Sequence, residues 1–359
     1  MFANPDLDES GRLVYAWVTY IAMMMLYTAI NVPYSALMGV MTPSSSERTL
    51  LSSYRFVGAF GGGLLISMLV RPLVQELGGG DEATGFQYTM ILFAIVSIGL
   101  FWYTFAATTE RVPTPKVENS SLKRDIGRLV NTRPWVVLGF GAVFTLASIA
   151  VKNAVLIHYF KYYVGDDGSD FLWFFDMTTV FMTCGMLALI AGVICTSKLT
   201  ERFDKRDLLI GLSVLNGLTM IAMFFVPPEQ FTTLLVLHVA GSLIAGPTAP
   251  LVWAMYADVA DYGEWQFGER TTGLVFSASI FAQKFGGTIG AGMAGWLLAA
   301  FGYVANVDQS EDALLGIRLL FTLIPAGIAA LNVIVLLFYD LTDDKVAEIE
   351  QELAKRADG

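Results

Sequence analysis

The sequence predicts an all-α integral membrane protein with about nine transmembrane helices. Composition is the first reason, because 55% of the 359 residues are hydrophobic, only 15% are charged, and the mean hydropathy is +0.59. Soluble domains carry about 25% charged residues. The second reason is that the apolar residues collect in long stretches, and about 20 such residues cross a hydrocarbon core about 30 Å thick. A soluble fold is therefore disfavoured.

The predicted spans follow from the positions of these apolar stretches. In chain order they are residues 13–38, 53–74, 86–108, 135–159, 172–195, 208–226, 231–256, 274–301 and 314–339. Gly286, Gly290 and Ala294 recur at intervals of four in the eighth span. Small residues in this pattern predict close packing against another helix.

Lysine and arginine residues are concentrated in alternate connections between the spans. Basic residues mark the cytoplasmic side, so these connections and the C-terminal tail are predicted to be cytoplasmic. We therefore expect a multi-pass protein of the plasma membrane, which is the inner membrane in a bacterium. The basic residues on this side are Arg48, Arg111, Lys116, Lys123, Arg124, Arg128, Arg133, Lys198, Arg202, Lys205, Arg206, Arg270, Lys345, Lys355 and Arg356.

The longest basic connection divides the chain into two unequal halves. Residues 1–109 hold three spans and form a partial N-terminal half, and residues 134–340 hold six and form a C-terminal half. Residues 110–133 are the cytoplasmic linker, for which an amphipathic surface helix and a plain tether are the alternatives. Residues 341–359 form a cytoplasmic tail.

Two features predict three further spans upstream of those in the chain. With a cytoplasmic C-terminus, an odd number of spans would leave Met1 outside without an export signal. The tripeptide Glu-Arg-Thr at residues 47–49 recurs at residues 269–271 in a matching cytoplasmic connection. Such an echo is expected of the parallel repeats in twelve-helix transporters, whose halves have six helices each.

Several other classes of protein are disfavoured by the sequence. It contains no recognisable nucleotide cradle, nucleophile-and-base pair or cluster of metal ligands. Cys184 and Cys195 lie in one apolar run, which indicates neither a disulfide framework nor a zinc site. The net charge of -10 comes from acids in short connections and does not indicate a nucleic-acid partner. We therefore expect no enzyme, metal or cofactor, and a lipid bilayer as the surroundings.

Two segments of the chain carry motifs long enough to compare with known families. The motifs are NVPYSAL at 31–37, MTP at 41–43, ERT at 47–49, SYRF at 53–56, ADVADYGEW at 257–265, GERT at 268–271 and FAQK at 281–284. They resemble the glycoside-pentoside-hexuronide:cation symporter family of the major facilitator superfamily, of which melibiose permease is a member. With the hydropathy profile, the resemblance covers essentially the whole chain.

This resemblance implies a major facilitator-type helical bundle in which the spans correspond to helices four to twelve. It also implies cation-coupled symport of a glycoside, pentoside or hexuronide by alternating access, with Na⁺ or H⁺ as the monovalent cation. The family's cation-binding carboxylates lie on helix two, outside these spans. The alternative is therefore a non-transporting or non-functional membrane fragment, or a sensor, derived from such a transporter.

Lys284 is a candidate for sugar binding and for cation coupling. It lies about ten residues inside its predicted helix, near the middle of the bilayer, where an ionisable group indicates function. Ser277 and Thr288 share its helical face and make a polar strip. A structural ion pair is the alternative, and the resemblance favours the coupling role.

Four further residues on later spans are candidate sugar ligands. Arg55 lies near the cytoplasmic end of its span, where snorkelling explains it as well as function does. A guanidinium suits sugar hydroxyls or a carboxylate, and the resemblance implies that role. Trp253 can stack on a sugar ring, with belt or core packing as the alternative. Lys152 and Asn153 lie about 12 Å from the outer end of their span, with snorkelling as the alternative.

The first span carries aromatic and polar residues on one helical face, among them Tyr20, Tyr27, Thr28 and Asn31. Asn31 needs partners that lipid cannot supply, so a sugar-binding cavity face is predicted, with packing as the alternative. By resemblance, Thr28 matches a threonine close to the family's cation site. The position of Asn31 holds a sugar-binding aspartate in melibiose permease, so galactoside specificity is not implied.

Three acidic residues, Asp258, Asp261 and Glu264, are predicted to lie at the cytoplasmic mouth. They are either gate contacts with the basic loops or solvated loop acids. The gate is the interpretation that the basic connections favour.

The charges predicted inside the spans indicate the kind of sugar. Arg55, Lys152 and Lys284 are cations, whereas the acid Asp176 lies close to the outer edge. Desolvated cations need anionic partners. We therefore predict that a sugar acid such as a hexuronide is preferred over a neutral galactoside.

Overall fold

The structure, a computed structural model, describes residues 8–112, 122–166, 171, 176–268 and 272–358. Every regular element in this part of the chain is helical. The helices are α1 (Glu9–Met41), α2 (Ser45–Gly78), α3 (Glu82–Ala107), α4 (Leu122–Asn131), α5 (Arg133–His158), α6 (Met177–Thr200), α7 (Lys205–Phe224), α8 (Phe231–Ala245), α9 (Thr248–Phe267), α10 (Thr272–Ala300), α11 (Glu311–Phe321), α12 (Leu323–Leu336) and α13 (Asp343–Asp358). A π-helical segment, Tyr159–Val164, continues α5.

Some sequence predictions concern residues outside the described part. They are the linker residues 113–121, the first residues of the span predicted at 172–195, and the repeated tripeptide at 269–271. Within the linker, Leu122–Asn131 form α4, so this part of it adopts the helix that was one of the two alternatives.

Eight helical segments of the described residues are long and apolar enough to cross a membrane. They are Ser10–Met41, Ser45–Val70, Ala83–Ala107, Arg133–Val164, Met177–Thr200, Lys205–Phe224, Phe231–Phe267 and Glu311–Leu336. The span predicted at 274–301 forms α10, a helix of 29 residues. It is not among the eight, because its many glycines together with Gln283 and Lys284 lower its mean hydropathy.

Helix α5 packs closely against α10 through small residues. A methyl group on Gly286 or Gly290 would collide with the backbone of Val143 or Ala147 on α5. Ala294, one turn further along α10, is only 1% exposed. The close packing predicted from these small residues is confirmed. In a bilayer, such packing stabilises helices mainly through van der Waals contact.

The contacts divide the chain into two compact units. The first comprises the described residues of Met1–Pro43 and Gly58–Pro113, and the second comprises those of Ser44–Val57 and Thr114–Gly359. The first turns of α2 therefore pack with the C-terminal helices, whereas the predicted halves divided the chain at the linker. This arrangement places Ser45, Arg48 and Arg55 in the second unit, where they meet residues distant in sequence.

Candidate functional site

A buried ion-pair cluster joins α2 to α9 within the second unit. The Arg48 guanidinium lies 3.3 Å from Asp258 and closer still to Asp261. The Arg48 and Asp258 side chains are each 1% exposed, and that of Asp261 is 3% exposed. Asp258 and Asp261 are three residues apart on α9, so both carboxylates project from one helical face toward a single guanidinium.

Lys205, the first residue of α7, completes this cluster. Its Nζ lies 2.6 Å from Asp258 and 3.1 Å from Asp343, and it also donates to the Ser45 hydroxyl. The Ser45 hydroxyl in turn donates to Asp258 at 2.8 Å. Asp258 therefore accepts from three side chains on two other helices. Buried charges are tolerated only when they are paired in this way.

Two carboxylates of the C-terminal helix α13 contact the N-termini of α2 and α7, next to the same cluster. The Ser45 N–H donates to Glu350 at 2.8 Å, and the Lys205 N–H donates to Asp343 at 3.1 Å. Ser45 begins α2 and Lys205 begins α7. Because a helix N-terminus carries free N–H donors and partial positive charge, carboxylates from α13 stabilise both helix ends.

Further contacts hold α13 against the end of α9. The Trp265 indole donates to Glu352 at 2.6 Å, and Arg356 donates to the Trp265 carbonyl at 3.0 Å. Burial raises the pKa of the Asp343 and Glu350 carboxyl groups above their ordinary values. Their proximity to other acids adds to this effect, and bonds to Lys205 and Ser45 oppose it.

An aromatic cluster surrounds Arg55, still within the second unit. The Arg55 guanidinium carbon lies 4.2 Å from the Trp253 ring centroid, a cation–π geometry. Trp253 stacks on Phe276, with centroids 5.7 Å apart, and meets Tyr256 edge-on at 6.0 Å. The ring centroids of Phe56 and Trp253 are 6.3 Å apart. The structure thus brings together Arg55 and Trp253, which the sequence nominated separately.

The remaining candidates of the second unit lie on α5 and α10. The Lys152 ammonium is 5.2 Å from the Phe321 ring centroid, and Asn153 is exposed. Lys284 is exposed on the face of α10 opposite its packed glycines, and Thr288 is exposed beside it. Thr288 donates to the Lys284 carbonyl at 2.9 Å, as expected of residues one turn apart.

The first unit contains the candidates on α1. Tyr27 is 53% exposed, and Thr28 and Asn31 are half-buried. The Thr28 hydroxyl donates to the Met24 carbonyl at 2.8 Å, one turn earlier in the helix. These three residues follow one another along α1, as predicted from their spacing.

Sequence reasoning named two acids of the ion-pair cluster and the basic connections that hold Arg48 and Lys205, but it did not pair individual residues. Asp258 and Asp261 were predicted to meet basic loops, and Glu264 lies half-buried one turn further along α9. The partner Arg48 belongs to the repeated Glu-Arg-Thr motif, which was a usable signal. Ser45, Asp343 and Glu350 gave no local signal, because only the tertiary fold brings them to this cluster. Among the described residues, no group of three His, Cys, Asp or Glu side chains could hold a metal ion.

Comparison with known proteins identifies the family to which the chain belongs. The model of the MFS/sugar transport protein family matches residues 1–343. The chain belongs to this family. The inner membrane symporter YicJ of Escherichia coli is 30% identical over 99% of this chain and 75% of its own length. The isoprimeverose transporter of Lactiplantibacillus pentosus is 32% identical over 99% of this chain and 74% of its own.

One further relative and one solved structure are also similar to the chain. A glucuronide carrier protein homolog of E. coli is 27% identical over 98% of this chain and 75% of its own length. The crystal structure of the E. coli fucose:proton symporter FucP matches with a TM-score of 0.57 at 14% identity. The structural match covers 86% of this chain and 73% of the FucP chain. The predicted all-α membrane protein of major facilitator type is thereby confirmed.

Proposed function

We propose that the protein is a cation-coupled symporter that takes up a glycoside, pentoside or hexuronide across a bacterial inner membrane by alternating access. The observation that carries the proposal is the buried ion-pair cluster of a chain in the sugar transport family. It ties α2 to α7, α9 and α13 through Arg48, Lys205 and Asp258. Relatives named as symporters and sugar carriers support the same reading.

The ion-pair cluster suits a gate on the cytoplasmic side. Alternating access requires a contact that is well formed in one state and broken in the other. A buried ion pair contributes little net stability, because desolvation offsets the attraction between the charges. Arg48 and its two aspartates can therefore separate and become hydrated at modest cost. We assign the gate to Asp258 and Asp261, with Glu264 at its rim.

The Arg55 and Trp253 pair suits recognition of a sugar ring. A tryptophan face binds the apolar C–H groups of a sugar, and a guanidinium donates to its hydroxyls. Arg55 already lies over Trp253, which is only 9% exposed and also packs against Phe276, so a bound sugar would replace one of these contacts on the indole face. Within the second unit, Asn153 is proposed as a further sugar contact. Within the first unit, Tyr27 and Asn31 on α1 are proposed as sugar contacts.

Cation coupling is assigned to Lys284 in the second unit, and in the first unit Thr28 is proposed as the position close to the cation that the resemblance implies. Lys284 is an ionisable group far inside α10, where placing a charge in lipid is costly. We propose that it exchanges its interactions between the substrate and the coupling site as the cation binds. The coupling cation is Na⁺ or H⁺. A sugar acid is the proposed substrate class, because Lys152 and Lys284 add positive charge to the spans and one relative is named as a glucuronide carrier.

The test is thermodynamic linkage between sugar and cation. Purified protein is titrated calorimetrically with 4-nitrophenyl β-D-glucuronide and with the matching glucoside, with sodium or choline and at several pH values. If sugar and cation are coupled, the coupling cation raises sugar affinity by about 5- to 150-fold. Binding that is indifferent to both sodium and pH would contradict the proposal.

A further inference from the structure

Helix α4 belongs neither to the ion-pair cluster nor to the Arg55 cluster. A single residue, Thr132, separates it from α5, which begins a segment long and apolar enough to cross the membrane. The Thr132 N–H donates to the Leu129 carbonyl at 3.0 Å, and the Thr132 hydroxyl donates to the Arg128 carbonyl at 2.9 Å. The connection is therefore short and hydrogen-bonded, and it holds α4 at the end of a span.

One face of α4 packs against α9 and α10 within the second unit. Leu129 is 5% exposed and lines a small cavity with Val259, Phe267 and Val275. The Arg128 guanidinium lies 5.4 Å from the Phe267 ring centroid. Val259 lies inside α9, and Val275 lies in the first turn of α10. The last turn of α4 is therefore level with the ends of these helices and does not project away from the membrane.

The apolar face of α4 is wider than the part that the protein covers. Leu122, Ile126, Leu129 and Val130 recur at the spacing of one helical face. Leu129 is packed, whereas Ile126 and Val130 are 45% and 55% exposed. An interfacial helix buries such residues about 5–10 Å into the boundary between headgroups and acyl chains. Because α4 lies at the end of a span, the bilayer is within reach of this face.

The charge of α4 indicates which lipids suit it. The helix contains three basic residues, Lys123, Arg124 and Arg128, and one acid, Asp125, in a chain whose net charge is -10. Arg124 is exposed and lies on nearly the opposite face from Ile126. Basic residues close to the cytoplasmic membrane surface are attracted to anionic lipids. An apolar face combined with a basic polar face is the pattern of a helix that binds an anionic membrane surface.

We infer that α4 is an interfacial helix that inserts Ile126 and Val130 into the cytoplasmic leaflet and binds anionic phospholipid headgroups through its basic residues. This inference goes beyond transport, because it assigns a lipid partner to the linker between the two predicted halves. Insertion removes exposed apolar surface from water, and the packing of Leu129 fixes which face of the helix is turned to the protein. The bound lipid is then part of the contact between the second unit and the membrane.

Contact with lipid is tested by fluorescence quenching of the full chain in vesicles. A bimane fluorophore is attached at Val130→Cys or, as the matched control, at Asn131→Cys, an exposed position on the polar side of α4. Cys184→Ala and Cys195→Ala remove the native thiols. Lipids with a nitroxide on the acyl chain should quench the label at Val130 but not the label at Asn131, and aqueous iodide should do the reverse. Quenching of the Val130 label by iodide alone would overturn the inference.

Preference for anionic lipid is tested with the same label at Val130, without sugar or a cation gradient, so the outcome is independent of symport. Nitroxide-labelled phosphatidylglycerol should quench at a mole fraction at least about fivefold lower than nitroxide-labelled phosphatidylcholine, the effect of one basic residue near the surface. Lys123→Gln combined with Arg124→Gln should remove this preference. Lys198→Gln combined with Arg202→Gln is the matched control and should keep it, because these two exposed residues lie at the end of α6. A preference that is absent from the unaltered protein, or that responds equally to both pairs of substitutions, contradicts the assignment of anionic lipid to α4.

Discussion

Arg48 of α2 and Asp261 of α9 form an ion pair in which the side chains are only 1% and 3% exposed. Such a pair is nearly neutral for stability while it is intact, yet removal of one partner leaves a charge buried without compensation. This asymmetry makes the contact suitable for a gate, because it either stays fully paired or opens fully to water.

We expect Arg48→Gln to destabilise the second unit by about 3–5 kcal/mol, because Asp258 and Asp261 would remain buried beside a neutral side chain. Unfolding by detergent titration measures this change. Arg133→Gln is the matched control, since Arg133 pairs with Asp340 at 3.4 Å with both side chains largely exposed, at 63% and 42%. Exposed pairs contribute about 0–1 kcal/mol. An equal loss in the two variants would contradict the burial argument.

A glycine substitution should separate close packing from plain helix propensity. Gly290→Ala puts a methyl group into the Ala147 backbone, whereas a methyl group at Gly292 meets nothing within 4 Å. We expect the first variant to lose about 1–3 kcal/mol from overpacking. The second should be neutral or gain up to about 1 kcal/mol from helix propensity. Thermal unfolding of both variants measures the difference, and the same melting temperature in both would count against the α5–α10 contact.

The docking of α13 should depend on pH through Asp343 and Glu350. Burial raises the pKa of both groups, so the docked state binds protons more readily than the undocked state. The contribution of these groups to docking is therefore fully present below the ordinary pKa of a carboxyl group, about 4, and is lost as pH rises through the raised values. Hydrogen exchange of the α13 amides, corrected for intrinsic rates, measures this trend.

The variants Asp343→Asn and Glu350→Gln serve as the control for the titration of α13. Combined in one protein, they should remove most of the pH dependence of α13 protection. If protection of the unaltered helix instead increases with pH across this window, the assignment of these two groups is wrong.

The features that could be predicted from the sequence are those that depend on the local pattern of residues. Hydropathy located the spans, and the spacing of Gly286, Gly290 and Ala294 anticipated the contact with α5. Tertiary partners were harder to predict, because Lys205 on α7 and Asp258 on α9 lie 53 residues apart and meet only in the folded chain. The stacking of His238 on Phe181 beside Gly185 could not be predicted for the same reason, because α8 meets α6 only in the folded chain.

The contact between Arg55 and Trp253 predicts how substitutions of these two side chains change sugar affinity. Trp253→Ala removes the face on which the guanidinium lies, so sugar affinity should fall by about tenfold or more. Trp253→Phe should retain part of the affinity, because a smaller aromatic face remains. Arg55→Lys keeps the charge but loses the planar fork, so it should also bind sugar weakly. Calorimetric titration with the glucoside probe measures all three, and unchanged affinity in Trp253→Ala would remove Trp253 from the sugar site.

Accumulation of a labelled sugar in membrane vesicles tests the central claim most directly. Vesicles containing the protein are given an imposed sodium or proton gradient, and the internal sugar concentration is compared with that in vesicles without a gradient. We predict accumulation above equilibrium only with a gradient of the coupling cation, and loss of that accumulation in Lys284→Ala at equal protein content. Sugar that merely equilibrates in vesicles of the unaltered protein, whichever gradient is imposed, would contradict cation-coupled symport.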